Sequence, residues 1–182
     1  LTLPAFSAQV ETPATVAVEQ GEMVLTATAP DGSVLWSETL HNAFADEGEQ
    51  LILDVFLRGA TAPTQFYLRL YNDTPVETDG LASLTGEPSG GGYAPSLIER
   101  SATGWPTLAL DSGDYQATSS AETFTASGGT IGPVTYAVIA TSSDNTGKLV
   151  AYAALSQSRT LADGESLTVT YKLKQQDRKS VV

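Results

Sequence analysis

The chain is dominated by short segments in which apolar and polar residues alternate, separated by turn residues. In the first such segment Val16, Val18, Val24 and Thr26 fall on positions of the same parity. After Pro30-Asp31-Gly32-Ser33 the pattern returns over residues 34–40. Period-two alternation is typical of a half-buried β-strand, and a tetrapeptide with Pro and Gly favours a turn. We therefore predict a β-hairpin over residues 15–41.

Residues 1–14 are apolar but lack any regular spacing. Pro4 and Pro13 oppose a helix, because proline removes a backbone donor and restricts the residue before it. The segment is predicted to be an extended N-terminal arm, lying on its own domain or on a neighbouring subunit.

The alternating pattern recurs between residues 65 and 173, where it predicts a series of antiparallel strands. The expected strands are 65–71, 93–99, 108–110, 115–126, 132–141, 149–155 and 166–173. The turns between them carry Asp, Asn and Gly, as in 111–114, 144–147 and 162–165. Such residues favour tight hairpin connections because they tolerate left-handed backbone conformations.

Helical spacing is found once, over residues 43–58. Its apolar stripe consists of Phe44, Leu51, Ile52, Val55 and Phe56. Asn42 is a suitable N-cap and Gly59 a suitable C-terminal cap, which sets the expected ends of the helix. The stripe predicts that this amphipathic helix packs against one side of the sheet.

These elements predict a mainly β fold: an antiparallel β-sandwich or jelly-roll-like domain over 42–174, with one amphipathic helix and an added N-terminal β-hairpin. Residues 72–92 form a long polar loop, and loops of this length are often interaction elements. Residues 175–182 are predicted to be a charged C-terminal tail.

Composition excludes several functional classes. The 182 residues include no cysteine and one histidine, His41, which excludes disulfides, thiolate metal sites and multi-histidine metal sites within the chain. The formal net charge is −12 with only nine basic residues, so a nucleic-acid partner is not expected. No apolar run approaches the roughly 20 residues of a membrane-spanning helix, and no membrane partner is expected.

Candidate chemical groups have ordinary structural explanations in the sequence. They are His41, the carboxylates Asp46, Glu47, Glu49, Asp111 and Asp114, the oxygen-rich turn 144–147, and the glycine run 89–92. Carboxylates suit a helix start or a turn, and no nucleophile elbow or phosphate-binding lysine accompanies these groups. We predict no catalytic, cofactor-binding or metal-ligating residues, and therefore no cofactor and no enzymatic activity.

Aromatic residues leave two interpretations open. Trp36, Trp105, Tyr67, Tyr71, Tyr93, Tyr115, Tyr136 and Tyr152 could line a sugar-binding face. Aromatic side chains are also frequent in β-sandwich cores and subunit interfaces, which we favour.

Six segments between residues 42 and 173 resemble a family of tailed-bacteriophage virion proteins. They are Leu57-Arg58-Gly59 at the helix end, the strand 66–71, Glu87 to Ala94 with its Ser-Gly-Gly-Gly-Tyr run, Trp105 with Phe124-Thr125-Ala126, residues 132–137, and residues 147–155 followed by 159–167. Their order and spacing are more specific than any one motif. Tyr136 and Ala153 depart from the family pattern, where His and Gly are common.

The resemblance implies a virion structural component, labelled in such families as capsid decoration, head fibre or tail fibre protein. From it we expect a decoration protein on the outer capsid surface that binds the major capsid protein, stabilises capsomer junctions and self-associates, with a trimer as the natural arrangement at threefold positions. The alternative is a tail or fibre adhesin that binds a host glycan through the 72–92 loop. A carbohydrate-processing enzyme is the third and least favoured hypothesis.

Overall fold

A computed structural model describes residues 20–174 of the chain. The predicted arm at 1–14 and tail at 175–182 lie outside this range. The described elements are β1 (Gln20–Thr28), β2 (Val34–Phe44), α1 (Asp46–Leu57), β3 (Gln65–Tyr71), β4 (Ser96–Glu99), β5 (Thr107–Asp111), β6 (Asp114–Thr125), β7 (Ile131–Ala140), β8 (Leu149–Leu161) and β9 (Ser166–Lys174). The fold is mainly antiparallel β with one α-helix in this range, as the sequence predicts.

The strands form one curled sheet in the order β4-β3-β7-β8-β2-β1-β9-β6-β5. The curl brings the β4 end of the sheet against β6, where the hydroxyl of Ser96 donates to the carboxylate of Glu122. The two halves of the sheet therefore face each other in a sandwich-like arrangement. Their inner faces supply the main core, in which Met23, Leu25, Leu70 and Val169 are fully buried.

The N-terminal hairpin lies at the centre of the sheet, although its sequence position suggested an extension. β1 pairs with β9 along its whole length, and the end of β2 pairs with β8 through Ala43 and Phe44. The hairpin thus joins the two halves. Its core-facing side chains are Met23, Leu25 and Ala27, whereas Val24 and Thr26 on the opposite face are only partly covered.

Helix α1 begins three residues later than the sequence predicts, so the assignment of Asn42 as its N-cap is wrong. Asn42 and Phe44 belong to β2, because pairing with β8 continues the strand and Phe44 is buried in the core. Ala45 occupies the N-cap position without a side-chain bond. Gly59 follows the helix with φ +70°, as expected for a C-terminal cap. No helix in the described range is long and apolar enough to cross a membrane.

Residues 72–95 cover the outer face of β3, β7 and β8. This segment includes a 3₁₀ turn at Leu81–Ser83, and Leu81 and Leu84 are buried. They form a second apolar cluster with Tyr71, Val138 and Leu149, which lies outside the main core. The segment predicted as a polar loop is therefore a packed layer.

Gly48 determines how closely α1 approaches β8. It is the buried residue of the helix, and a Cβ at this position would lie 2.2 Å from the carbonyl oxygen of Val150. Real Cβ atoms do not approach a backbone oxygen so closely, and a backbone atom cannot move aside as a flexible side chain can. Glycine here is a packing requirement in a helix that would otherwise favour alanine.

Replacing Gly48 by Ala is expected to lower the free energy of unfolding by about 1–3 kcal/mol, because α1 must move away from β8. Gln50→Ala, at an exposed position of the same helix, is the control and is expected to change it by less than about 0.5 kcal/mol. Urea unfolding of both variants tests this. Equal or greater stability of Gly48→Ala would contradict the close approach.

Candidate functional site

An apolar pocket of about 340 Å³ lies between the two halves of the sheet, beneath α1; we call it the α1 pocket. The helix contributes Leu51, Ile52, Val55 and Phe56 to it. The other lining residues are Phe44, Ala62, Pro63, Phe66, Arg100, Trp105, Ala117, Ile139, Val150, Tyr171 and Leu173. Arg100 is the charged member of this set.

The pocket lies at the end of the sheet where β2, β7 and β9 finish and β3, β6 and β8 begin. Trp105 anchors this end, because its ring makes edge contacts with Phe66 and Tyr171 at centroid distances of 6.0 Å. The helix covers the opening only partly. Phe56 lines the pocket yet remains 83% exposed, so the predicted packing of the apolar stripe is incomplete.

The inner face of the sheet continues from the pocket onto the β5–β6 hairpin. Leu108 is opposite Ala117, which is opposite the pocket residue Leu173, so these side chains share one face. Leu110 and Tyr115 form the next pair on that face. Leu108, Leu110 and Tyr115 are 71%, 63% and 60% exposed, and we call them the hairpin strip.

The 72–95 layer is fastened by a buried ion pair between Arg69 and Glu87. Arg69 is 1% exposed, and its guanidinium donates two hydrogen bonds to the Glu87 carboxylate, of 2.9 and 2.5 Å. It also donates to the carbonyl oxygen of Asp144 and the side-chain oxygen of Asn145. Tyr93 donates to Glu87 and accepts the amide of Leu70, while its ring stacks on Phe124. The network thus connects β3, the layer and both halves of the sheet.

Burial and charge shift the ionisation of this cluster. Burial opposes the charged form of Arg69, but the hydrogen bonding to Glu87 and the electrostatic interactions with Tyr71, Glu87 and Tyr93 together outweigh it, so its pKa lies above the ordinary value. Burial raises the pKa of Tyr71 and of Tyr93 far above the ordinary 10.0, and the nearby Glu87 carboxylate adds to both shifts. The cluster therefore keeps neutral phenols beside a charged pair.

The candidate carboxylates have structural contacts. Glu47 accepts the backbone amides of Leu81 and Leu149, which fixes the start of α1 against the 72–95 layer. Asp111 and Asp114 close the β5–β6 turn, and Asp111 accepts a hydrogen bond from Lys174. The two sets lie in different parts of the fold and are not brought into one catalytic pair.

The oxygen-rich turn 144–147, the glycine run 89–92 and His41 also have structural surroundings that explain them. The Asp144 carboxylate accepts the hydroxyl and the amide of Thr146, and these bonds lower its pKa. Gly91 has φ +62°, and a Cβ there would lie 2.6 Å from the backbone of Thr130. The glycine run thus permits close backbone packing. His41 is exposed on β2, opposite Glu22.

In residues 20–174 no group of three or more His, Asp or Glu residues could hold a metal ion. Of the eight candidate aromatic residues, Tyr115 is exposed, whereas the others are partly or fully buried. Trp36 is covered by the guanidinium of Arg159 at 4.3 Å from its ring.

Comparison with known protein families gives a match over residues 43–173, to the family described as podophage GP4 fiber I protein gp80. The chain belongs to this family. It is therefore a phage structural protein, in agreement with the resemblance to virion proteins over residues 42–173. No curated protein matches the chain.

In this member of the gp80 fibre family, the sequence did not reveal the α1 pocket or the hairpin strip, because each combines side chains from distant segments. The α1 pocket takes residues from α1 and from strands in both halves of the sheet, so no local motif marks it. The two leucines of the hairpin strip are apparent in 108–110, but an alternating pattern predicts that the apolar face of a strand is buried. Glu87 precedes the Ser-Gly-Gly-Gly-Tyr run, and no sequence pattern identifies Arg69 as its partner.

Glu87→Ala is expected to destabilise the protein by about 3 kcal/mol, because it leaves the buried Arg69 guanidinium without its carboxylate. Glu77→Ala removes an exposed carboxylate from the same layer and is the matched control. Denaturant unfolding measures both. Similar losses in the two variants would show that the ion pair does not fasten the layer.

Stability is expected to fall as pH rises above about 10. The unfolded chain ionises Tyr93 near the ordinary value of 10.0, whereas the folded chain holds it neutral, so its contribution is complete below that pH and is lost above it. Tyr93→Phe should be less stable at pH 8 and lose less between pH 10 and 11.5, as measured by urea unfolding. Tyr115→Phe, which removes an exposed phenol, is the control. An unchanged pH dependence in Tyr93→Phe would refute the assignment.

Proposed function

We propose that this protein is a non-catalytic subunit of a phage fibre and that it self-associates through the β5–β6 hairpin. The family match supports the fibre role, and the hairpin strip is the observation that carries the mode of association. The structural contacts of Glu47, Asp111 and Asp144 support a non-enzymatic role.

The hairpin is an unusual surface for a subunit that acts alone. β5 is one of the two edge strands of the sheet, and all five of its residues are exposed. Edge strands with exposed apolar residues tend to pair with other strands unless charges or bulges protect them. Burying large apolar side chains contributes on the order of 1.5–3 kcal/mol each before association costs. The strip therefore favours a partner.

A second copy fits this edge by symmetry. Antiparallel pairing of β5 with itself about Ala109 places Leu108 opposite Leu110 of the other copy and Thr107 opposite Asp111. No like charges face each other in this register, and Asp111 is already paired with Lys174 at 3.1 Å. Isologous contacts of this kind are the commonest in homo-oligomers.

The position on the particle is proposed from the family description, which names a fibre protein. The capsid decoration role expected from the sequence, with the major capsid protein as partner and a trimeric arrangement, is the alternative. A glycan-binding adhesin role is less favoured, because the 72–95 layer is fastened by Arg69–Glu87 and its apolar residues face inward.

The double variant Leu108→Glu/Leu110→Glu is expected to be monomeric at concentrations where the unaltered protein is oligomeric, because four carboxylates would face each other across the edge. Val34→Glu/Leu35→Glu, exposed at the far end of the β1–β2 hairpin, is the matched control and should leave the mass unchanged. Light scattering with concentration series measures this. A monomeric unaltered protein would overturn the proposal.

Labelling the protein in intact particles separates the proposed location from its alternative. A fibre subunit is expected on the fibres, whereas a decoration protein would cover the shell and bind isolated capsids in a fixed ratio. Binding of the purified protein to host cells would instead support the adhesin.

A further inference from the structure

We propose that the α1 pocket is the docking site of residues 1–14 of the same molecule. The inference is independent of the proposed fibre function. It rests on an apolar pocket that α1 covers incompletely and on the place where the chain enters the described fold.

The opening of the pocket is the feature that needs an occupant. The side chains around it are almost entirely apolar, and Phe56 at its edge is 83% exposed. An open apolar pocket leaves this surface in contact with water, which disfavours the empty state. The occupant must therefore offer apolar side chains rather than polar groups.

The chain enters the fold beside this opening. Gln20 begins β1 opposite Lys174, and the next residue, Gly21, lies opposite the pocket residue Leu173. At about 3.3 Å per residue, any five residues can reach at most roughly 17 Å, so the length of chain between residue 14 and Gln20 is sufficient to return to a pocket at the same end of the sheet. Residues 1–14 can thus reach it without leaving their own molecule.

The composition of residues 1–14 matches the lining. Their apolar residues are Leu1, Leu3, Pro4, Ala5, Phe6, Ala8, Val10, Pro13 and Ala14, and their one charged side chain is Glu11. Glu11 complements Arg100, the charged residue of the pocket wall. Phe6 is the aromatic side chain in the segment and is the natural anchor, since aromatic residues dominate the energy of such contacts.

The other segment that leaves the fold at this end suits the pocket less well. Residues 175–182 follow Lys174 and include Asp177, Arg178 and Lys179 among eight residues. Placing such charges in an apolar pocket would cost free energy without matching partners. The N-terminal segment is therefore the occupant of choice.

Cysteine cross-linking in the full chain tests the inference, because the protein has no cysteine of its own. In Ala8→Cys/Ala62→Cys the anchor Phe6 is retained and both thiols would lie at the pocket, so mild oxidation is expected to join them within one molecule. Ala8→Cys/Val34→Cys is the matched control. Val34 starts β2 at the opposite end of the sheet, about 35 Å from the pocket at 3.3 Å per residue, so this pair is expected to cross-link at least ten-fold less.

A second measurement uses the two tryptophans of the chain. In a Trp36→Phe background, Trp105 reports on the pocket that it lines, and Leu3→Ser/Phe6→Ser is expected to shift its emission to the red and to increase binding of an apolar dye. Equal cross-linking in both cysteine pairs, cross-links only between molecules, or unchanged Trp105 emission would each overturn the proposal. The oligomeric mass of the hairpin variants is measured separately, so either proposal can fail alone.

Discussion

The buried ion pair between Arg69 and Glu87 sets the path of the chain over the sheet. A guanidinium that is 1% exposed is tolerated only because a carboxylate and several oxygens surround it. Glu87 can reach it only if residues 72–95 cross the outer face of β3, β7 and β8. That crossing buries Leu81 and Leu84 and directs Tyr93 between the halves of the sheet, where it stacks on Phe124. A polar interaction thus determines where the second apolar cluster forms.

The sequence pattern predicted correctly those strands and turns whose conformation depends on neighbouring residues in the chain. β3 has the predicted bounds, and the turns at 111–114 and 162–165 connect the strands that their sequences suggest. β8 runs to Leu161, beyond its predicted end at 155, because the polar residues 156–160 hide the strand pattern, although Arg159 and Leu161 still pair with β7. The predicted start of α1 was wrong because the pairing of β2 with β8 overrides the capping preference of Asn42.

The burial of β3 on both faces shows what alternation cannot predict. Leu68 and Leu70 face the main core, as the pattern indicates, but Arg69 and Tyr71 are equally buried on the other face. A polar residue in an alternating strand ordinarily predicts a solvated face. Here the covering layer comes from a segment with little regular structure and a polar composition. The pocket and the hairpin strip are hidden from the sequence for the same reason, because each depends on which segments cover a face.

The acidic composition limits which exposed apolar surfaces can form contacts between two copies of the protein. With a formal net charge of −12, two copies repel each other at long range, and salt screens that repulsion over about 8 Å at physiological ionic strength. The proposed contacts between copies would then form where the local charge is low. The hairpin strip meets this condition, since Asp111 is paired with Lys174 and the strip itself is uncharged. The Arg69–Glu87 pair is largely buried, with Arg69 1% exposed, so screening by salt is weaker there. Charge therefore bears on association at the edge of the sheet far more than on the fold that supports it.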